Sequence, residues 1–225
     1  MKVTVPEGRT LREIAATLEE VGLGSAAEFV ALGRDVSFVR SLGIQADSLE
    51  GYLYPETYFF SPLDPKKQVL AAMVGRFKGA VGADLTGVDT STGLTPHQVV
   101  TLASVVEKET GRAEERPLIA AVFRNRLKQG MPLQADPTVI YGIEQFDGNL
   151  TRQHLDTPTA YNTYRFVGLP PGPIASPGRA AILAVLTPAP VPYLYFVARD
   201  DGSHEFSSSL EDHNRAVNRH QRKRG

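Results

Sequence analysis

The chain has 225 residues, 42% of them hydrophobic and 22% charged, with 20 Gly, 16 Pro, no Cys and a net charge of −1. That composition excludes collagen-like, coiled-coil and disordered chains, and the missing thiol excludes a disulfide scaffold, a Cys nucleophile and a Cys-ligated metal. The charge balance gives no global pull toward nucleic acid or an anionic membrane, and no apolar run reaches the roughly 18 residues of a spanning helix. Met1 runs straight into Lys2-Val3-Thr4-Val5, an apparent strand with no signal peptide before it. The expectation is an N-terminus trimmed from a longer, exported chain.

Pro6-Glu7-Gly8 stops that strand. Thr10-Leu11-Arg12-Glu13 then has capping-box spacing, in which a hydroxyl and a carboxylate three residues on satisfy two orphan N–H groups. Leu11, Ile14, Ala15 and Leu18 follow at helical spacing, and Ser25-Ala26-Ala27-Glu28 repeats the signal for a second helix. A third short helix is placed at Asp35. Residues 1–48 thus form a small strand–helix–helix module. The aromatic, Pro-containing stretch from Leu49 to Phe60 reads as extended chain opening a second region, 49–225, with helical spacing over 65–80 and a loop from Asp89 to Gly93.

Thr95-Pro96-His97-Gln98 is a helix start with a hydroxyl cap, Pro at the first helical position and Gln at the third. The helix runs through Val106 to a stop at Gly111. A second helix begins near Pro117 and ends at Gly130. Residues 131–178 read as mostly irregular. Tyr193–Ala198 and His204–Ser208 read as a hairpin about Asp201-Gly202, and 210–222 as a last polar helix before the basic Arg222-Lys223-Arg224. The fold class is α+β.

Familiar cofactor motifs are missing. Gly22-Leu23-Gly24-Ser25-Ala26-Ala27 follows a helix, whereas dinucleotide binding needs a strand feeding a glycine turn. The five His, at 97, 154, 204, 213 and 220, are scattered, and His213 is placed on an exposed helix face beside Asp212 and Asn214. No metal and no cofactor are expected.

The strongest chemical candidate is Val105-Val106-Glu107-Lys108-Glu109-Thr110-Gly111. Two carboxylates close an otherwise apolar helix, so its end emerges from the core at a surface or cleft. The negative end of the helix macrodipole and partial burial both disfavour ionisation, and a carboxyl held protonated near neutral pH is what a general acid requires. The bland alternative is a solvated helix end. At about 100° per residue, Glu109 lies on the Leu102/Val105 flank and Glu107 on the Val100/Ala103 flank, which favours Glu109 only slightly. Gln134-Ala135-Asp136-Pro137, Ala160-Tyr161-Asn162-Thr163-Tyr164 and the stiff Gly168–Gly178 loop combine amides, hydroxyls and rings that suit a neutral sugar.

Leu49–Phe60, Ala103–Thr110, Glu115–Gly142, Pro158–Tyr164, Gly168–Gly178 and Pro192–Val197 together resemble the endolytic murein (peptidoglycan) lytic transglycosylases of the MltG/YceG-like family, in order and over nearly the whole chain. The resemblance implies a LysM-like, peptidoglycan-binding subdomain at 1–48 and a catalytic transglycosylase domain at 49–225. It implies cleavage between N-acetylmuramic acid and N-acetylglucosamine within nascent strands, without water, leaving 1,6-anhydromuramic ends and terminating elongation. The family's acid matches Glu109, and Gln134, Asp136, Tyr161 and Asn162 become candidates for positioning glycan or that acid. The implied partners are peptidoglycan glycan strands and cell-wall synthases, with no nucleic acid. The implied location is the inner membrane, through a single N-terminal helix absent here, with the catalytic part outside the cytoplasm. Two rivals stand beside this: a non-catalytic glycan-binding module, and a muramidase-type hydrolase in which Asp136 or another acid activates water.

Overall fold

The computed structural model describes residues 1–88 and 93–220. Most of the loop expected from Asp89 to Gly93, and the basic tail, lie outside the described residues. The N-terminal unit is β1 (Lys2–Thr4), α1 (Leu11–Glu20), α2 (Ala26–Gly33), α3 (Val36–Ser41) and β2 (Thr57–Phe59). Both capping boxes form: the Thr10 hydroxyl accepts from Glu13 N–H while the Glu13 carboxylate accepts from Thr10 N–H, and Ser25 and Glu28 repeat the exchange. Asp35 caps α3, accepting from Ser37 and Phe38 N–H. Leu11, Ile14, Ala15 and Leu18 form the buried stripe of α1. Within the stretch expected to be extended, only β2 is strand. It pairs antiparallel with β1, Val3 opposite Tyr58, so segments on either side of residue 48 share one sheet.

After α4 (Lys66–Val81) comes the central helix, α5 (Pro96–Glu109), capped by Thr95 and Gln98. Every residue from Val99 to Val106 is buried. Its two polar members are satisfied locally: Thr101 Oγ1 donates to His97 O at 2.8 Å and Ser104 Oγ to Thr101 O at 2.7 Å. A 3₁₀ turn (Ala113–Glu115) leads into α6 (Arg116–Lys128), and α9 (Arg179–Leu186) packs against both α5 and α6. The C-terminal layer is an antiparallel hairpin, β3 (Tyr195–Ala198) with β4 (His204–Ser207), covered by α10 (Leu210–His220).

The region expected to be irregular contains two short helices, α7 (Asp136–Tyr141) and α8 (Arg152–Asp156). The Gly168–Gly178 loop is sewn down. Ile174 N–H donates to Ser104 Oγ at 2.9 Å, Gly178 N–H to Glu107 Oε2 at 2.9 Å, and Ser176 bridges to the Gly8-Arg9 turn through two backbone bonds. A Cβ at position 178 would lie 1.8 Å from Glu7 Oε1, so a larger residue there has to displace the end of that exposed side chain.

Glu50 fastens the N-terminal unit to the rest. Its Oε1 accepts from Leu11 N–H, an orphan donor of the first turn of α1, at 2.8 Å, and its Oε2 accepts from the Tyr141 hydroxyl at 2.9 Å. Burial pushes this carboxyl from 4.5 up to about 7, against the pull of those two donors and of Arg34. A carboxyl raised in the fold stabilises it fully below the unfolded value, and that stability is lost as pH rises from 4.5 to about 7. Glu50→Gln keeps an acceptor for Leu11 N–H. It is therefore expected to flatten that decline and to exceed the wild type by about 3 kcal/mol at pH 7. Urea unfolding at pH 4.5 and pH 7 checks this, and equal losses in the two proteins would refute it.

Candidate active site

Glu109 is the last residue of α5, where the chain leaves helical geometry at the extended Thr110. Its carboxyl lines a cavity of about 420 Å³ with Arg126, Gln134, Asp136, Tyr164 and His204. It also lines a second cavity of about 490 Å³ with Glu7, Gly8, Arg9, Glu107, Lys108 and Arg116. The acid thus sits where two polar hollows meet. Burial first, and then the Asp136 charge, push its carboxyl up to about 8; the Arg126 guanidinium opposes them without prevailing.

Glu107, two residues away, has different surroundings. Its side chain is 5% exposed; Oε1 accepts from Arg116 at 2.9 Å and Oε2 from Gly178 N–H at 2.9 Å. Both oxygens are committed to holding α6 and the Pro-rich loop against α5. No hydrogen bond engages the Glu109 carboxyl among the described residues, and the residue lines both cavities.

Two loops build the far wall. Gln134 N–H donates to Thr163 O at 3.1 Å, Ala135 N–H to Thr163 Oγ1 at 3.0 Å, and the Thr138 and Thr163 hydroxyls meet at 2.8 Å. Gln134 takes φ 51°, the left-handed region, and is the one non-glycine to do so among the described residues. Such strain persists where surrounding structure imposes it, commonly at functional sites. Arg126 supplies part of that constraint: its guanidinium donates to Leu133 O and to Leu194 O, both at 2.7 Å, tying the loop to the hairpin. The Tyr164 hydroxyl donates to Asp136 Oδ1 at 2.6 Å, and both residues line the cavity with Gln134.

Of the candidate residues, the structure brings Glu109, Gln134 and Asp136 to one cavity and leaves Tyr161 and Asn162 out of it. Asn162 is fully buried. Its amide donates to the carbonyls of Leu155 at 3.0 Å and Thr157 at 2.7 Å, closing the end of α8, and its Oδ1 accepts from Tyr164 N–H at 3.0 Å. It therefore shapes the turn that aims Tyr164, and no part of it reaches the cavity. Tyr161 packs on Tyr141 with ring centroids 4.7 Å apart and lines a different hollow, with His97, Pro171 and Gly172.

The sequence reasoning overlooked Tyr164, Arg126 and His204. Tyr164 stood in a quoted motif, two places past the residues chosen. The expectation for His213 also needs correcting. It is half-buried, stacks on Tyr195 at 5.2 Å and faces the Glu109 cavity, because α10 lies down on β3 and turns that face inward. Among the described residues no three His, Asp or Glu side chains are disposed to hold a metal ion.

The fold and the cavity define an α+β protein with a protonatable carboxyl at the crossing of two open polar hollows. The chain belongs to the YceG-like family, whose family model matches residues 1–219. It is similar to the endolytic murein transglycosylase of Bacillus subtilis (strain 168), with 34% identity over 230 residues covering 96% of this chain and 64% of that protein. It is also similar to the endolytic murein transglycosylase of Streptococcus pneumoniae serotype 2, with 32% identity covering 97% of this chain and 44% of that protein. The chain therefore spans less than two thirds of the length of either relative. A crystal structure of a yceG-like protein from Listeria monocytogenes superposes with a TM-score of 0.86 at 34% identity, covering 96% of this chain and 75% of that one. No helix among the described residues is long and apolar enough to cross a membrane.

Proposed function

We propose that this chain is the catalytic part of an endolytic murein transglycosylase, with Glu109 as its acid. The observation that carries the reading is the Glu109 carboxyl, pushed up to about 8 and lying where two cavities meet. A carboxyl of that kind keeps its proton at neutral pH and can give it to a leaving oxygen. Hollows on both sides suit a polymer that passes across the acid, as cleavage inside a strand requires.

In the proposed reaction Glu109 protonates the glycosidic oxygen between N-acetylmuramic acid and N-acetylglucosamine. As that bond breaks, positive charge grows at the muramyl C1. The C6 hydroxyl of the same ring attacks C1 and its proton can pass to the Glu109 carboxylate, giving the 1,6-anhydro end and terminating the strand. Attack within one ring avoids the entropy of bringing in a second reactant. The Asp136 carboxylate, steadied by Tyr164, has two uses here: it keeps Glu109 protonated and it faces the developing cation. The LysM-like role of residues 1–48, single-pass anchoring in the inner membrane and work beside cell-wall synthases rest on the family resemblance alone.

Incubation with nascent, uncrosslinked glycan strands tests the reading, with the new termini separated by mass. Anhydro ends are expected. Ordinary reducing ends would instead support a hydrolase in which Asp136 activates water, since retaining and inverting glycosidases pair two carboxyl groups. No new ends with retained binding would support a glycan-binding module.

A further inference from the structure

The Glu109 cavity holds a second acid–base device, built on the C-terminal hairpin. His204 opens β4, and its side chain is 10% exposed. Glu115, at the end of the 3₁₀ turn, grips it twice. Glu115 Oε1 accepts from His204 N–H at 2.8 Å, and Oε2 meets the ring Nδ1 at 2.6 Å. The same carboxylate lies 3.4 Å from the Thr110 hydroxyl, on the residue that follows Glu109. Burial opposes ionisation of Glu115, but three donors, the His204 ring, the His204 N–H and the Thr110 hydroxyl, outweigh it and hold that carboxyl below its ordinary range. An ionised partner at Nδ1 selects the tautomer of the neutral ring, with the hydrogen on Nδ1 and the lone pair on Nε2. The edge of Phe196 meets the ring at 5.4 Å and sets its plane. Nε2 has no hydrogen-bond partner among the described residues, and the ring forms part of the wall of the Glu109 cavity.

A carboxylate behind an imidazole whose far nitrogen opens on a reaction space is the arrangement of a general base. Asp136 is less suited to that task, because one of its oxygens already holds the Tyr164 hydroxyl. We propose that His204, held by Glu115, is a second catalytic residue of this site and takes the proton of the attacking C6 hydroxyl. The proposal rests on the transglycosylase reading and divides between two residues the acid and base work otherwise left to Glu109 alone.

The step balances. The C6 oxygen forms its bond to C1 while its hydrogen passes to Nε2. The bond from C1 to the leaving oxygen breaks, and that oxygen takes the Glu109 proton. The imidazolium, neutralised by the Glu115 carboxylate, then returns a proton to the Glu109 carboxylate through solvent in the cavity. Both groups are restored, and no water is consumed.

His204→Gln is the first test, with anhydro-end release measured under saturating and limiting glycan. The expected loss is about 10²-fold in kcat with KM little changed, the range of a lost general base. Imidazole in the buffer is expected to restore part of the rate to His204→Ala and none to Glu109→Gln, a rescue that a merely structural residue does not show. Glu115→Gln, which removes the charge behind the ring, is expected to lose about tenfold in kcat. It carries the test if the His204 variants fail to fold by thermal melting. Wild-type kcat in His204→Gln, or in Glu115→Gln where that variant decides, overturns the proposal. Wild-type protein is run alongside: if it releases no anhydro ends, the transglycosylase reading has failed, whereas anhydro release that His204→Gln fully retains refutes the base alone.

Discussion

Glu109→Gln is expected to lower the release of anhydro-ended glycan by about 10³-fold or more while making the protein harder to unfold at pH 7. The two effects have one cause. Burial and the neighbouring Asp136 hold this carboxyl up to about 8, so ionising it is penalised in the fold and free in the unfolded chain. Stability from such a group is complete below 4.5 and is lost as pH rises toward 8. Removing the charge therefore gains about 3 kcal/mol at pH 7. The wild-type rate should fall on the alkaline side as the acid loses its proton, with the limb near pH 8. A variant that is inactive and less stable would mean that Glu109 is a structural group; an active one would remove it from the reaction.

Glu107→Ala is expected to do the converse. It leaves Arg116, 12% exposed, without its close partner; Glu7 lies farther off, at 3.7 Å. It also leaves the Gly178 N–H unanswered. Breaking a buried pair in this way costs about 3 kcal/mol, because a desolvated charge remains. The folded fraction should turn over glycan within about threefold of the wild type, since both Glu107 oxygens are already held by Arg116 and Gly178 N–H. Urea unfolding together with product release at low temperature separates the two outcomes. A stable but inactive Glu107 variant would reverse the assignment of the two acids.

That pair shows how far the sequence could be read. Both carboxylates close the same apolar helix, and rotation per residue separated them only weakly. What distinguishes them is that Arg116 and Gly178, supplied by distant chain, hold both oxygens of Glu107 and leave the Glu109 carboxyl unbonded. Local signals were legible because they are local: the Thr10/Glu13, Ser25/Glu28 and Thr95/Gln98 boxes all form. The helix over 179–186 escaped notice because Arg-Ala-Ala-Ile-Leu-Ala-Val-Leu has no polar face to set a period against its apolar one. The short helix α7 begins without a side-chain cap, inside a segment dominated by Pro and Gly signals. Composition placed Asn162 among sugar-binding amides, yet an amide serves equally well to close a helix end, and only the buried position decides between the two uses. The Glu115–His204 clasp spans 89 residues, and nothing at either end announces the other.

The loop from Gly168 to Gly178 has the proline and glycine content often taken as the mark of a moving flap. Its later half is anchored at every second residue: 174 on the central helix, 176 on the N-terminal turn and 178 on Glu107. A flap would have to break all of these together, including bonds to the helix that carries the acid. This segment is instead a strut that moves only when the whole scaffold moves, so any opening and shutting around the glycan falls to other parts of the rim.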